Sequence, residues 1–179
     1  MYIDILKKIV NHYEYYKNIA VNLEWAEFNS RYYDWFQKYP IGIYVAVCEF
    51  QEGYVKDNFE QAYMHTVLTY MVYINEFEED FRNTPSDELL KYMTQAEDFY
   101  SAYITYEEPR MIPVTEEYLI NQIWFYAESN DVSESEINSV IPYVTGAENI
   151  EIGGFYFRDH TFISVKDNSI MLIHCGVWD

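Results

Sequence analysis

Residues 57–81 read DNFEQAYMHTVLTYMVYINEFEEDF. Phe59, Tyr63, Val67, Tyr70, Ile74, Phe77 and Phe81 recur at steps of four and three, the period that lays one apolar stripe along an α-helix. At a rise of 1.5 Å per residue this stretch would make a rod of roughly 37 Å, enough to cross a small domain. It predicts a central helix on which the rest of the chain packs. The end of that helix breaks a local rule. Glu76, Glu78, Glu79 and Asp80 crowd the last turn with only Arg82 to answer them. A helix C-terminus already carries partial negative charge, so each acid there costs about 0.3–1 kcal/mol. A rule broken without local gain marks these acids as candidates for function; the plainer reading is a solvated helix end.

On the N-terminal side, residues 2–18 carry Leu6, Ile9, Tyr13 and Tyr16 at helical spacing, and a second helical piece over 22–38 carries Trp25, Phe28, Tyr32, Trp35 and Phe36. Pro40 and Gly42 break that pattern. Residues 41–48, IGIYVAVC, are continuously apolar and fit either a buried strand or a helix turn. On the C-terminal side, Thr84, Pro85 and Asp87 form a helix start for 85–105, with Leu89, Met93, Ala96, Tyr100 and Tyr103 on its inner face. Thr115 caps a further helix with Leu119, Ile120, Ile123 and Ala127 inward, and Ser133 with Glu136 fits a capping box for a short helix that Pro142 and Gly146 close. From Ile150 the pattern changes. Residues 150–158, 161–166 and 170–175 are short β-prone runs, with Asp159-His160 and Asp167-Asn168 as turns. The expected fold class is α+β: one mostly helical domain, 1–179, with helices over 1–147 and a small C-terminal antiparallel β meander over 148–179.

Half of the 179 residues are apolar and 20% are aromatic, the composition of a folded chain with a real core. No apolar run reaches 18 residues, so no membrane span is expected, and the start lacks the basic-then-apolar pattern of a signal peptide. Cys48 and Cys175 stand far apart and are expected to be buried thiols. The net charge is −19 and is unevenly spread. Residues 1–48 hold five acids and five bases, residues 49–151 hold 22 acids against four bases, and residues 152–179 hold three against two. Such a field repels nucleic acid and anionic membranes and accelerates encounter with basic surfaces.

Motifs that carry chemistry are absent. His12, His65, His160 and His174 form no metal-binding spacing, the six glycines form no phosphate loop, and there is no nucleophile elbow. Cys48 sits in an apolar run, which raises a thiol's pKa. His174 and Cys175 are neighbours on a predicted strand, where successive side chains face opposite ways. No catalytic residue, metal ligand or cofactor is therefore assigned. Twenty tyrosines against seven lysines suggest that positive charge is specifically disfavoured. Tyrosines beside acids, as in 103–108, make a protein-binding surface.

Acids three or four residues apart on a helix stand about 4.5–6 Å apart along its axis, close to the 3.4 Å rise of phosphates on a DNA strand. The candidate ridges are Glu76, Glu78, Glu79 and Asp80 with Asp87 and Glu88, then Glu97, Asp98, Glu107 and Glu108, continued by Glu116, Glu117, Asp131, Glu134 and Glu136. In size, acidity and aromatic content the chain resembles the DNA-mimic inhibitors of phages and mobile elements, the anti-CRISPR and antirestriction proteins. That resemblance covers 49–151 and is compositional, since those proteins share no motif. It implies a non-enzymatic inhibitor in the cytoplasm of a host bacterium. Its partner would be a basic nucleic-acid-handling protein such as a CRISPR or restriction nuclease, with no direct nucleic-acid binding. An immunity protein against a toxin nuclease would use the same physics; a small hydrolase or metal enzyme is the alternative from another class. Reversing Glu76, Glu79 and Asp80 to Lys is expected to weaken partner binding at low salt while leaving the circular dichroism spectrum unchanged. Undiminished binding would remove this ridge from the contact.

Overall fold

The computed structural model describes residues 2–73, 100–104, 111–153 and 159–177. In chain order these form α1 (Tyr2–Asn11), α2 (Tyr13–Val21), β1 (Asn29–Lys38), β2 (Ile41–Glu49), α3 (Tyr54–Asp57), α4 (Phe59–Tyr73), a π-helical turn (Tyr100–Ile104) and β3 (Ile112–Pro113). There follow α5 (Glu116–Glu128), α6 (Glu134–Val144), β4 (Glu148–Gly153), β5 (Asp159–Lys166) and β6 (Ser169–Val177). The strands make one six-stranded sheet in the order β1-β2-β6-β5-β4-β3, with every pairing antiparallel.

This overturns the expectation of a mostly helical chain with a small C-terminal meander. The three C-terminal strands exist, but β6 continues into β2 along a nine-residue register, Ile41↔Val177 to Glu49↔Ser169. The N-terminal hairpin and the C-terminal strands are thus one sheet. Residues 29–38, expected as helix, are β1. Aromatic residues favour a pleated, half-buried surface, and here alternate ones point to opposite faces: Trp35 and Tyr33 pack with one core, Tyr32 with the other. Spacing alone could not decide, because 28, 32 and 35 also satisfy a helical step. The open choice for 41–48 resolves as strand β2.

The period-2 alternation of β2 and β6 organises the core. Ile43, Val45, Val47, Met171, Ile173 and Cys175 face α5 and α6, where they meet Leu119, Ile123, Ala127, Ile137, Val140 and Val144. Ala46, Cys48, Ile170 and Leu172 face the other way, into a core shared with α1, α2 and α4. The sheet, not the helix over 57–81, is therefore the central layer, with helices on both faces. Gly42 permits close approach within the hairpin: a Cβ there would lie 1.9 Å from the Phe36 ring.

Helix α4 departs from the stripe expected of it. Residues 62–70 are buried on every side, the mark of an interior helix. Its two threonines are satisfied within the helix, and His65 is bonded through one ring nitrogen. Thr66 Oγ1 donates to the Ala62 carbonyl at 2.9 Å, Thr69 Oγ1 to the His65 carbonyl at 2.8 Å, and His65 Nε2 to the Glu24 carbonyl at 2.9 Å. The expected extension over 74–81 and the helix over 85–99 lie outside the described residues. The expected helix over 2–18 is two helices, broken at His12, whose φ of −132° is extended.

The capping signals are met. Thr115 Oγ1 accepts from the Tyr118 amide at 3.2 Å, and Ser133 with Glu136 completes a reciprocal capping box. Asp167-Asn168 turns β5 into β6 as expected, whereas Asp159 and His160, expected in a turn, are the first residues of β5.

One buried side chain pins the edge of the sheet. Asn130 is 1% exposed. Its Oδ1 accepts from the amides of Gln37 at 2.8 Å and Lys38 at 2.9 Å, and its Nδ2 donates to the carbonyls of Ile41 at 3.1 Å and Tyr126 at 2.9 Å. The hairpin of β1 and β2 is thereby tied to the end of α5. Asn130→Ala should lower stability by about 2–4 kcal/mol, because it removes the four hydrogen bonds of a buried side chain at once. Urea unfolding should show a lower midpoint with an unchanged slope.

Candidate functional site

Of the fifteen acids singled out in the sequence, Glu76, Glu78, Glu79, Asp80, Asp87, Glu88, Glu97, Asp98, Glu107 and Glu108 lie outside the described residues. The remaining five sit on the α5–α6 layer, and three of them have structural tasks. Glu116 Oε2 accepts from the Gly146 amide at 2.9 Å, tying the start of α5 to the end of α6. Glu136 Oε2 accepts from Ser133 Oγ at 2.6 Å and from its amide at 3.3 Å. Asp131, at a φ of +56°, pairs with Lys38. Glu117 and Glu134 are exposed at the two helix starts, where acids complement the helix dipole.

The layer as a whole is electrically one-sided. Residues 116–144, which span α5 and α6, contain six acids and neither Lys nor Arg. On the opposite face of the sheet, α1 and α2 balance Asp4 and Glu14 against Lys7, Lys8 and Lys17. The bases that reach the acidic layer come from elsewhere: Lys38 to Asp131, and Lys166, whose Nζ donates to the carbonyls of Pro142 and Thr145 at 2.9 Å each. Phe125 is 56% and Tyr118 39% exposed on the outer side of α5.

A second group was not legible in the sequence. At the end of the sheet nearest the start of β5, strand register brings Glu151 of β4, His160 of β5 and Cys175 of β6 onto the face that carries Phe162, with Asp159 as the first residue of β5. His160 Nδ1 donates to Glu151 Oε1 at 2.9 Å. The His160 ring stacks on Phe162 at 6.0 Å, and Tyr118 of α5 meets Phe162 edge-on at 6.2 Å. Asp159 is 6% exposed and its Oδ1 has no hydrogen-bond partner. Burial holds its carboxyl above the usual range, an effect that His160 partly offsets. The Cys175 thiol is pushed well up by burial, then by Asp159 and Glu151. Tyr126 is pushed up to about 12 by burial, then by Cys175 and Asp159. Glu151, His160 and Cys175 lie on three strands and meet only through strand pairing, so no spacing in the sequence marks them. The one local sign is Gly153, at a φ of +115°, beside a register shift in β4.

Cys48 is fully buried, donates to Thr69 Oγ1 at 3.5 Å, and is pushed up to about 11 by burial, a core thiol. Among the described residues no group of three His, Cys, Asp or Glu is arranged to hold a metal ion, and no helix is long and apolar enough to cross a membrane. Comparison of the chain with protein-family models, with curated proteins and with solved structures found no match.

Two histidines set the pH response. His65 is wholly buried, with Nδ1 unpartnered and the rings of Trp25 and Phe28 at 5.1 and 5.3 Å. Burial lowers its pKa against the opposing bond to the Glu24 carbonyl. His174 shows an edge to solvent, but most of the ring lies inside the protein beside Thr161 Oγ1 at 2.9 Å. Burial, and then His160, lower it to about 4. Both groups stay neutral in the fold where the unfolded chain takes up protons. Stability should therefore fall as pH drops below about 6.5, by up to about 1.4 kcal/mol per pH unit for each histidine. Asp159 acts in the opposite sense, since its raised pKa favours the fold as it protonates. Urea titrations between pH 7 and 4.5 should show the fall, and His174→Gln should flatten it.

Proposed function

We propose that this protein is a non-enzymatic acidic inhibitor that binds the basic nucleic-acid-binding surface of a nuclease, in the manner of anti-CRISPR and antirestriction proteins, by presenting carboxylates where that surface expects phosphates. The observation that supports the reading is the one-sided α5–α6 layer, with six acids and neither Lys nor Arg over 116–144. A cluster of like charge on one face creates a directed field, which steers a basic partner and repels nucleic acid itself. Exposed Phe125 and Tyr118 between those acids add rigid apolar area, the kind of anchor that dominates protein interfaces. The cytoplasm of a host bacterium is the compartment in which such a partner works.

Glu117, Glu128 and Glu134 are exposed acids of this layer without a structural bond among the described residues, so their reversal leaves the helix caps intact. Glu117→Lys, Glu128→Lys and Glu134→Lys together should slow capture of a nuclease about tenfold or more at low salt, with the difference shrinking as salt rises. The assay is capture by the tagged protein from host lysate across a salt series, with added DNA or guide RNA as competitor. A captured nuclease that nucleic acid displaces supports mimicry. A partner indifferent to both salt and nucleic acid overturns it.

A further inference from the structure

We propose that residues 23–28, which join α2 to β1, form a strap across α4 that is released in mild acid when His65 takes up a proton, while the sheet stays folded. The device does not depend on what the acidic layer binds.

The strap is held at one residue. His65 Nε2 donates to the Glu24 carbonyl at 2.9 Å, and the Glu24 amide donates to Gln61 Oε1 at 3.1 Å. Gln61 and His65 stand four apart on α4, so one face of the helix grips both backbone groups of a single strap residue. Among the described residues these are the only backbone hydrogen bonds of 24–28. The remaining hold is aromatic. Trp25 meets the His65 ring edge-on at 5.1 Å, Phe28 lies at 5.3 Å from it, and Phe28 continues to Phe50 at 5.3 Å.

The hydrogen bond fixes the tautomer. A carbonyl only accepts, so the neutral ring carries its proton on Nε2 and leaves Nδ1 bare. Nδ1 is buried without a partner. A second proton must therefore land on Nδ1, where it places a cation out of water with no acceptor. The groups around it do not compensate. Glu24, Glu27, Lys17, Lys56 and Asp57 are exposed, Glu49 pairs with Arg31, and Glu60 accepts from Tyr15. Burial keeps Cys48, Tyr54 and, on β6, His174 neutral through mild acid. Only the Glu24 carbonyl opposes the effect of burial on His65.

The charged ring reaches water most cheaply by shedding its cover. On one side is α4, buried on every side over 62–70. On the other is the strap, whose Trp25 is already 51% exposed. A segment with two hydrogen bonds at one residue opens at lower cost than a helix inside the core. Release frees the imidazolium and uncovers the ring of Phe28 and the side chain of Leu23, which is 7% exposed in the closed form.

The test is hydrogen exchange of the full chain at pH 7 and pH 5.5, with rates corrected for the intrinsic effect of pH, followed amide by amide. Protection of 24–28 should fall about tenfold over this interval, since each pH unit below about 6.5 favours the protonated open form tenfold until the closed ring itself titrates. Protection of β2 and β6 should change by less than about threefold between the same two pH values. His65→Gln keeps an amide donor for the Glu24 carbonyl and cannot titrate, so its strap should be equally protected at both pH values; His174→Gln should retain the natural fall. A second measurement needs no variant. The His65 ring nitrogens of the natural chain should show the Nε2–H tautomer at pH 7, and their protonation should follow the same curve as the loss of strap protection. Strap protection that is unchanged by pH, a fall that survives in His65→Gln, or a fall shared equally by β2 and β6 would overturn the proposal.

Discussion

The antiparallel pairing of β2 with β6 is the contact on which the rest of the structure depends. It joins residues 120 to 136 positions apart along a nine-residue register, and both of its faces are covered. An antiparallel sheet often leaves one face to water, with polar residues alternating outward. Here neither face is free, which is why IGIYVAVC and SIMLIHCGV are apolar almost throughout. Sliding β2 by one residue would send Ile43, Val45 and Val47 to the face now filled by Ala46 and Cys48. The two cores differ in the size of what they receive, so the register is set by packing as well as by the hydrogen-bond ladder.

The charge distribution follows from this layering. Acids of the α5–α6 segment cannot be buried, so they collect on the outer surface of one layer, and three are used to build that layer. Glu116 and Glu136 hold helix starts in place, and Asp131 holds Lys38 across the hairpin. An acidic surface thus has two components: carboxylates with local partners that contribute to the fold, and carboxylates such as Glu117 and Glu134 that contribute mainly field. Only the second kind can be reversed without disturbing the scaffold. Acids on one face cost stability through self-repulsion, a cost compatible with a surface meant to be neutralised by a partner.

Buried polar groups show the same division. Asn130 makes four hydrogen bonds and secures an edge strand. Thr66 and Thr69 answer to their own helix, which lets α4 run through the interior. Asp159 Oδ1 and His65 Nδ1 are among the exceptions, each buried without a hydrogen-bond partner. Fully satisfied polar groups specify a structure, whereas an unsatisfied one raises the question of what it is kept for.

The signals legible in the sequence were the ones that act over a few residues. Thr115, and Ser133 with Glu136, announced two helix starts because capping depends on side chains reaching neighbouring amides. Asp167-Asn168 announced a hairpin because turn geometry is local. Net charge and its concentration in the middle of the chain needed no structure at all. Aromatic periodicity over 22–38 misled, because rings at 28, 32 and 35 satisfy a helical step as well as a strand, and the arbiter was β2, which no local rule brings alongside. The same limit hid the group of Glu151, His160 and Cys175. Each residue belongs to a strand or a turn in its own neighbourhood, and only the register of three strands sets them side by side. Local hydrogen bonding and composition were written in the sequence; pairing between distant segments, which decided the central sheet, was settled by the burial that tertiary structure alone provides.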